Sequence, residues 1–198
     1  MAKSVENNNR SAGLRFIASN GDCFYQAVVE AFLMNGDDVR DNENVVKEDG
    51  DDGVLALRRT AAVAVTEEIF QIFQLYQGAG LKDFQFMANI NSVEELRDRI
   101  MELGDKVGSK KCLWANEFEI REVCEALSIC CLILDLDTKN PFSKHVKIGE
   151  DREKFIILQR SGEHYSLVYQ RKAEGGNAKG VVEKQDLTNL AIKMWKID

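Results

Sequence analysis

The sequence predicts an α+β fold with a central, mostly antiparallel β-sheet of about five strands flanked by helices. Helical apolar spacing dominates the chain up to residue 127, apart from one short apolar segment near the start, and strand-like apolar runs fill residues 129–169. Strands and helices do not alternate, which disfavours a parallel βαβ sheet. The length of 198 residues fits one domain of ordinary size.

The first predicted elements surround a cysteine. Residues 14–18 are apolar and predict an edge strand, and Asn20-Gly21-Asp22 behind them has the composition of a turn. A helix follows at once, because its apolar residues recur at helical spacing: Phe24, Ala27, Val28, Ala31 and Phe32. Cys23 therefore lies where the turn meets the helix.

Further helices are predicted between residues 54 and 127. Residues 54–77 predict one long helix that ends at Gly78, since glycine is typical of a helix C-terminus. Ser92 and Asn116 are residue types that cap helix N-termini, and Ser92 has the spacing of a capping box. We therefore expect two more helices to begin directly after them.

The second part of the chain supplies the sheet. Residues 129–136 are almost all apolar, as expected of a central strand that is buried on both faces. Further strands are predicted at residues 144–148, 155–158 and 165–169. We expect residues 14–172 to form the domain, preceded by a polar leader at 1–13 and followed at 173–198 by a glycine-containing linker and an amphipathic C-terminal helix.

The charge distribution disfavours nucleic acid as a partner. The net charge is −7, and residues 37–53 alone hold eight acidic and two basic residues. The rest of the chain is nearly balanced and lacks the basic patch that a phosphate-binding surface needs. A calcium-binding loop that starts at Asp49 is not supported, because Gly53 and Thr60 would fall on ligand positions. We therefore expect a solvated acidic loop there.

The cysteines and histidines argue against a metal site. The chain has five cysteines but no Cys-x-x-Cys pair, and its two histidines, His145 and His164, lie far in sequence from other possible ligands. An odd cysteine count without an apolar signal segment favours free thiols in a reducing compartment, the cytoplasm. No apolar run is long enough to span a membrane. We expect a monomer.

Cys23 is the strongest candidate for a catalytic nucleophile. The N-terminus of a helix carries partial positive charge and unpaired N–H groups, and both favour a thiolate. The same N–H groups, with those of the turn at residues 20–22, are suited to stabilise an oxyanion. A lone cysteine at a helix start is more commonly a small buried residue, so the hypothesis also requires a base.

His164 is the better candidate for that base. It opens an apolar strand after a Ser-Gly-Glu turn, where its ring would be both fixed and accessible. His145 lies among polar residues at a strand edge, and we expect it to face solvent. Taken alone, His164 would be interpreted as a surface histidine, so its assignment as the base depends on its pairing with Cys23.

Three segments of the chain resemble the OTU (ovarian tumour) cysteine proteases. Residues 20–28, Asn-Gly-Asp-Cys-Phe-Tyr-Gln-Ala-Val, resemble their nucleophile segment, usually Asp-Gly-Asn-Cys. Residues 114–120, Trp-Ala-Asn-Glu-Phe-Glu-Ile, resemble their Trp-Gly-Gly loop and the helix behind it. Residues 163–166, Glu-His-Tyr-Ser, resemble their terminal His-Tyr-Asn or His-Tyr-Asp strand. The segments occur in the family's order and span most of the chain.

The resemblance implies a papain-like fold and a thiol-dependent deubiquitinase. Such an enzyme removes ubiquitin, polyubiquitin or a ubiquitin-like modifier without a metal or organic cofactor, with Cys23 as the nucleophile and His164 as the base. Four further residues are expected to contact the substrate: Asp22, Trp114, Asn116 and Tyr165. Two alternatives stay open, a weak or inactive ubiquitin-binding module and a viral-type papain-like polyprotein protease. A viral or bacterial-effector protein of this kind would act in the host cytoplasm.

Two positions depart from the family's pattern. The first residue of the nucleophile motif is Asn20 here, and asparagine tolerates a tight turn as well as aspartate does. Residues two apart in a strand share a face, so the family's histidine-orienting residue corresponds to Ser166, a neutral hydroxyl instead of an amide or carboxylate. Ser166, Asn20 and Asp22 are therefore alternatives for the group that orients His164.

Overall fold

The computed structural model describes residues 12–104, 112–135, 145–171 and 177–187. These residues build a six-stranded sheet in the order β1-β5-β4-β2-β3, with β6 also paired to β4. The strands are β1 (Ala12–Arg15), β2 (Cys130–Asp135), β3 (His145–Ile148), β4 (Lys154–Ser161), β5 (His164–Gln170) and β6 (Val181–Glu183). Only β2 and β4 pair in parallel among these described strands. The predicted α+β class is confirmed, with six strands where about five were expected.

The helices differ from the prediction at one place. They are α1 (Cys23–Asn35), α2 (Gly53–Val63), α3 (Glu67–Gly78), α4 (Val93–Met101) and α5 (Glu117–Leu127). The single helix predicted over residues 54–77 is wrong, because the chain breaks between α2 and α3. Val65 is buried at the break, and the hydroxyl of Thr66 accepts a hydrogen bond from the N–H of Ile69. That bond starts a new helix.

Both predicted N-terminal caps are present. The hydroxyl of Ser92 accepts from the N–H of Glu95 at 3.1 Å and caps α4. Asn116 caps α5 with a complete capping box, in which its side chain accepts from the first-turn N–H groups and Glu119 accepts from the N–H of Asn116 at 2.6 Å. The capping box therefore fixes the start of α5 and the position of the Glu119 carboxyl.

Helix α1 packs on the sheet through small residues. Ala27, Val28 and Ala31 are fully buried, and Gly180 approaches so closely that a Cβ there would lie 2.3 Å from the Cα of Ala31. The side chain of Asn35 accepts from the N–H of Gly180 at 2.9 Å. These contacts join α1 to the strand that follows residue 180.

The C-terminal boundary predicted at residue 172 is therefore corrected. Strand β6 lies within residues 173–198, yet it pairs with β4 and belongs to the sheet. Residues 184–187 are helical, and the rest of the predicted C-terminal helix lies outside the described residues. Residues 1–11 of the predicted leader also lie outside them, and β1 begins at Ala12.

Most residues of the acidic loop at residues 37–53 are exposed, but a few buried side chains anchor the loop to the domain. Val39 and Val45 are buried at 1% and 4% exposure. Asp51 forms an ion pair of 2.8 Å with Arg59 of α2. The loop is anchored because it supplies apolar side chains to the core and carboxylates to α2.

In the part of the chain that the structure describes, no helix is long and apolar enough to cross a membrane.

Candidate active site

Cys23 is the first residue of α1 and is almost wholly buried. Its backbone N–H donates to the carbonyl of Asn20 at 3.2 Å, which closes the turn before the helix. The thiol is 1% exposed and donates to the carbonyl oxygen of Glu163, with 3.7 Å between Sγ and oxygen. Because Glu163 directly precedes His164, the fold brings the predicted nucleophile and the predicted base together from residues far apart in sequence.

His164 begins β5, and its two ring nitrogens face two serine hydroxyls. Nε2 lies 3.3 Å from Oγ of Ser166, and Nδ1 lies 3.4 Å from Oγ of Ser19. The ring of Phe16 covers one side of the imidazole, with 5.2 Å between the ring centroids. A direct hydrogen bond between Cys23 Sγ and the His164 ring is not among the hydrogen bonds of the described residues. The expected separation of about 4 Å between the two therefore stays a prediction.

Ser166 and Ser19 reach His164 by different routes. Ser166 lies two residues further along β5, and strand alternation places its hydroxyl beside the ring. Ser19 was missed by the sequence argument. The pairing of β1 with β5 brings the chain after Arg15 to the start of β5, since Arg15 lies opposite Leu167. Serine in an otherwise apolar segment was the one local signal for Ser19.

Asn20 and Asp22 have other partners. The side chain of Asn20 accepts from the N–H of Asp22 at 3.1 Å and stabilises the turn itself. Asp22 is 3% exposed, and its two carboxylate oxygens accept from Arg58 Nε and from the N–H of Gly104, both at 2.7 Å. The carboxylate of Asp22 therefore faces the interior and pairs with Arg58 instead of His164, and contact of Asp22 with substrate stays a prediction.

The three other residues expected to bind substrate differ in exposure. The side chain of Asn116 is used in capping α5, and Tyr165 is 6% exposed with its ring 6.1 Å from that of Phe24. Contact of Asn116 and Tyr165 with substrate is not supported, because the first side chain caps α5 and the second is buried. Trp114 is 39% exposed, and its contact with substrate stays a prediction.

Burial favours the uncharged forms of both reactive groups. Burial raises the pKa of the Cys23 thiol, the backbone N–H groups of Tyr165 and Phe24 act in the opposite direction, and the carboxylate of Asp22 raises the pKa further. Burial also lowers the pKa of His164. The helix N-terminus was expected to favour a thiolate, but desolvation of the Cys23 thiol is the larger effect and acts in the opposite direction.

Of the other four cysteines, three are buried and Cys112 is partly buried. Cys130 and Cys131 are buried in β2, and burial raises the pKa of the Cys130 thiol to about 11. All five cysteines are free thiols. Among the described residues, no group of three or more His, Cys, Asp or Glu side chains is placed to hold a metal ion.

The fold is similar to that of solved ovarian tumour (OTU) domains. An OTU domain in complex with ubiquitin is 14% identical in sequence and matches with a TM-score of 0.53, covering 92% of this chain and 83% of its own. The viral OTU domain protease from Taggert virus is 16% identical, with a TM-score of 0.44 and coverage of 86% and 85%. An OTU deubiquitinase from Wolbachia pipientis wMel bound to ubiquitin is 14% identical, with a TM-score of 0.45 and coverage of 81% and 96%. No protein-family model and no curated protein matches the sequence.

Proposed function

We propose that this OTU-fold protein is a cysteine isopeptidase that hydrolyses conjugates of ubiquitin or of a ubiquitin-like modifier. The observation that carries the proposal is the meeting of Cys23, at a helix N-terminus, with the strand start that holds His164 and Ser166. The ubiquitin bound to the similar OTU domain supports the choice of modifier. The proposal places the protein in the cytoplasm, where thiols stay reduced, and treats it as a monomer.

In the proposed reaction, Cys23 attacks the carbonyl carbon at the modifier's C-terminus. His164 takes the thiol proton as the C–S bond forms and gives it to the departing lysine amine as the C–N bond breaks. Water then hydrolyses the thioester, with His164 as the base, and the free thiol is restored. Because burial raises the pKa of the Cys23 thiol and lowers that of His164, transfer of the proton is favoured when bound substrate develops a negative charge that the site stabilises.

The first turn of α1 supplies donors for that negative charge. The backbone N–H of Phe24 lies close enough to Cys23 Sγ to lower the thiol pKa. Such helix-terminal N–H groups have no partner within the helix and are suited to an oxyanion. Ser166 contributes a neutral hydrogen bond to the ring of His164, which orients the ring without adding a full charge.

A ubiquitin probe with a C-terminal electrophile tests this proposal. The wild type should be labelled and Cys23→Ala should not, because the probe bonds only to the thiolate nucleophile. His164→Ala should slow cleavage of di-ubiquitin by more than about 100-fold, the usual contribution of a general base. His145→Ala is the matched control: His145 is exposed on β3, and its loss should leave the rate unchanged.

The second candidate function is a binding module that has lost turnover. The observation in its favour is the hydrogen bond of the Cys23 thiol to a backbone carbonyl in place of the imidazole. It predicts measurable ubiquitin affinity with no cleavage of any di-ubiquitin linkage. Failure of ubiquitin and ubiquitin-like probes alike, with ubiquitin still bound, would support this module and contradict the isopeptidase.

A further inference from the structure

A fully buried arginine lies directly beneath the nucleophile turn. Arg58 of α2 is 0% exposed, and each of its donor nitrogens has a partner. The donors contact Asp22 Oδ1 at 2.7 Å, Ile100 O at 2.6 Å, Gly21 O at 2.9 Å, Cys112 Sγ at 3.0 Å and Leu113 O at 3.1 Å. The guanidinium also lies 4.5 Å from the ring centroid of Tyr25, in the first turn of α1. A buried charge at this position therefore acts on the segment that carries Cys23.

Asp22 occupies the position at which a side chain normally caps a helix. An N-cap aspartate usually accepts a hydrogen bond from a first-turn N–H of its own helix. Here one oxygen of Asp22 is taken by Arg58 and the other by the N–H of Gly104. In the described part of the chain, α1 accordingly has no side-chain hydrogen bond at its N-cap.

The missing cap has a chemical consequence at Cys23. The N–H of Cys23 donates to Asn20, but the following first-turn N–H groups of α1 stay available to a thiolate or an oxyanion, and that of Phe24 already lowers the pKa of the Cys23 thiol. The carboxylate of Asp22 raises that pKa, even from its present position. A carboxylate turned onto the first-turn N–H groups would occupy these donors and bring its negative charge closer to the reacting atoms.

We propose that Arg58 is a positioning residue that holds the Asp22 carboxylate away from the N-terminus of α1 and so keeps the first-turn N–H groups free for the reaction. The consequence for turnover rests on the proposed isopeptidase function. The consequence for the Cys23 thiol does not, because it concerns the local charge at the helix terminus alone.

The packing around the turn leaves the Asp22 side chain as the part that can move. A Cβ at Gly21 would lie 2.2 Å from Cys112 Sγ, and a Cβ at Gly104 would lie 2.6 Å from the N of Gly21. The backbone of the turn is therefore in close contact on both sides. Loss of Arg58 should free Oδ1 of Asp22, leave the N–H of Gly104 as a partner of Oδ2, and let the side chain rotate towards α1 while the turn stays in place.

The pKa of the Cys23 thiol is tested by the rate at which iodoacetamide alkylates it, measured by mass spectrometry of the Cys23 peptide across a pH series. The alkylation midpoint is the pH at which this rate is half its maximum. In Arg58→Met the midpoint should rise by about one pH unit, the shift expected from a nearby like charge. In Asp22→Ala/Arg58→Met it should fall to the wild-type midpoint or below it, because no carboxylate remains beside α1 and Asp22 raises the pKa even in the wild type. Arg59→Met is the matched control, since Arg59 is the next residue of α2 and pairs with Asp51 instead of the turn.

Steady-state cleavage of ubiquitin bearing a C-terminal fluorophore tests turnover. Arg58→Met should lower kcat by about 100-fold with little change in KM, the loss typical of one oxyanion donor. The double variant should recover part of that loss. Circular dichroism checks that each variant folds. Arg58→Lys is a second variant, because it keeps the charge but has a single donor nitrogen, and its alkylation midpoint should be intermediate.

Two results would overturn the proposal. One is a wild-type alkylation midpoint in Arg58→Met and Arg58→Lys, and the other is a double variant that is as perturbed as the single one. If Arg58→Met does not fold, Arg58→Lys and the double variant still give the comparison of midpoints. A wild type that cleaves no modifier contradicts the isopeptidase function, and the alkylation midpoints decide the role of Arg58 even then.

Discussion

The two sides of the proposed active site are built from different kinds of interaction. On the nucleophile side, a fully buried Arg58 holds Asp22 through a charged contact of 2.7 Å. On the base side, neutral hydroxyls lie 3.3 Å and 3.4 Å from the ring of His164, and the neighbouring Phe16 is 72% exposed. Buried charged contacts are costly to break, whereas a neutral hydrogen bond contributes about 0.5–1.5 kcal/mol. The nucleophile is therefore fixed firmly and the base only weakly.

Removing one partner of the buried ion pair should give the largest effect. Asp22→Ala leaves the charge of Arg58 uncompensated in the interior, and the free energy of unfolding should fall by about 3–5 kcal/mol. Urea denaturation measures this loss. Glu48→Ala is the control, because Glu48 pairs with Arg59 at the surface, where such a pair contributes about 1 kcal/mol or less. Equal losses in the two variants would show that the buried pair holds the nucleophile side no more firmly than a surface ion pair would.

The stability of the nucleophile side should also depend on pH. Burial raises the pKa of Glu119, which lies close to Arg58 and Tyr25, from its ordinary 4.5 to about 7. The unfolded chain releases this proton at a lower pH than the folded protein does. The contribution of Glu119 is therefore fully present below pH 4.5 and is lost as the pH rises to about 7.

Glu119→Gln isolates that contribution. Glutamine keeps the capping box with Asn116 and has no titrating proton. Between pH 4.5 and 7 the wild type should lose about 3 kcal/mol more stability than the variant, from a shift of roughly two to three pKa units at 1.36 kcal/mol each. Chemical denaturation at a series of pH values gives the difference. Parallel curves for the two proteins would show that Glu119 is ionised throughout this range.

The sequence predicts the contacts between residues that are close along the chain. The caps at Ser92 and Asn116 follow from residue type and spacing over one helical turn, and Ser166 beside His164 follows from alternation within one strand. The break between α2 and α3 also had a local signal, since Thr66 is followed by Glu67 and Glu68, acids typical of a first turn. The apolar stripe on both sides of the break concealed it.

Contacts between distant segments could not be predicted in the same way. Arg58 is 36 residues from Asp22, and Ser19 is 145 residues from His164. Nothing in the local pattern of α2 distinguishes Arg58, which is buried, from Arg59, which is partly exposed. Only the packing of α2 against the turn, and the register of β1 on β5, show which polar residues meet. For this reason Asp22 was expected to contact substrate or orient His164, although its carboxylate pairs with Arg58 in the interior.

On the base side, Ser166→Ala should lower kcat only modestly. The lost hydrogen bond is neutral and worth about 0.5–1.5 kcal/mol, which corresponds to up to roughly tenfold in rate. Ser166→Asn introduces the amide found in OTU proteases at this position and should raise kcat above that of Ser166→Ala. Ser92→Ala is the control, because its hydroxyl caps α4. A Ser166→Ala variant that is folded but as inactive as Cys23→Ala would make Ser166 essential.

Ser19 should have the smallest effect, and in the opposite direction. Ser166 faces Nε2 of His164, so Nδ1 is the nitrogen left for the thiol of Cys23, and the hydroxyl of Ser19 lies on Nδ1 at 3.4 Å. Ser19→Ala removes this competitor, and kcat/KM should rise by roughly twofold, the equivalent of about 0.5 kcal/mol for a long, exposed hydrogen bond. The rates of Ser19→Ala and Ser166→Ala on one di-ubiquitin substrate give the comparison. Rate changes of opposite sign would show that the Ser166 hydroxyl orients the ring while the Ser19 hydroxyl competes for it. A lower rate in both variants would mean that both hydroxyls orient the ring and that the thiol approaches His164 from another direction.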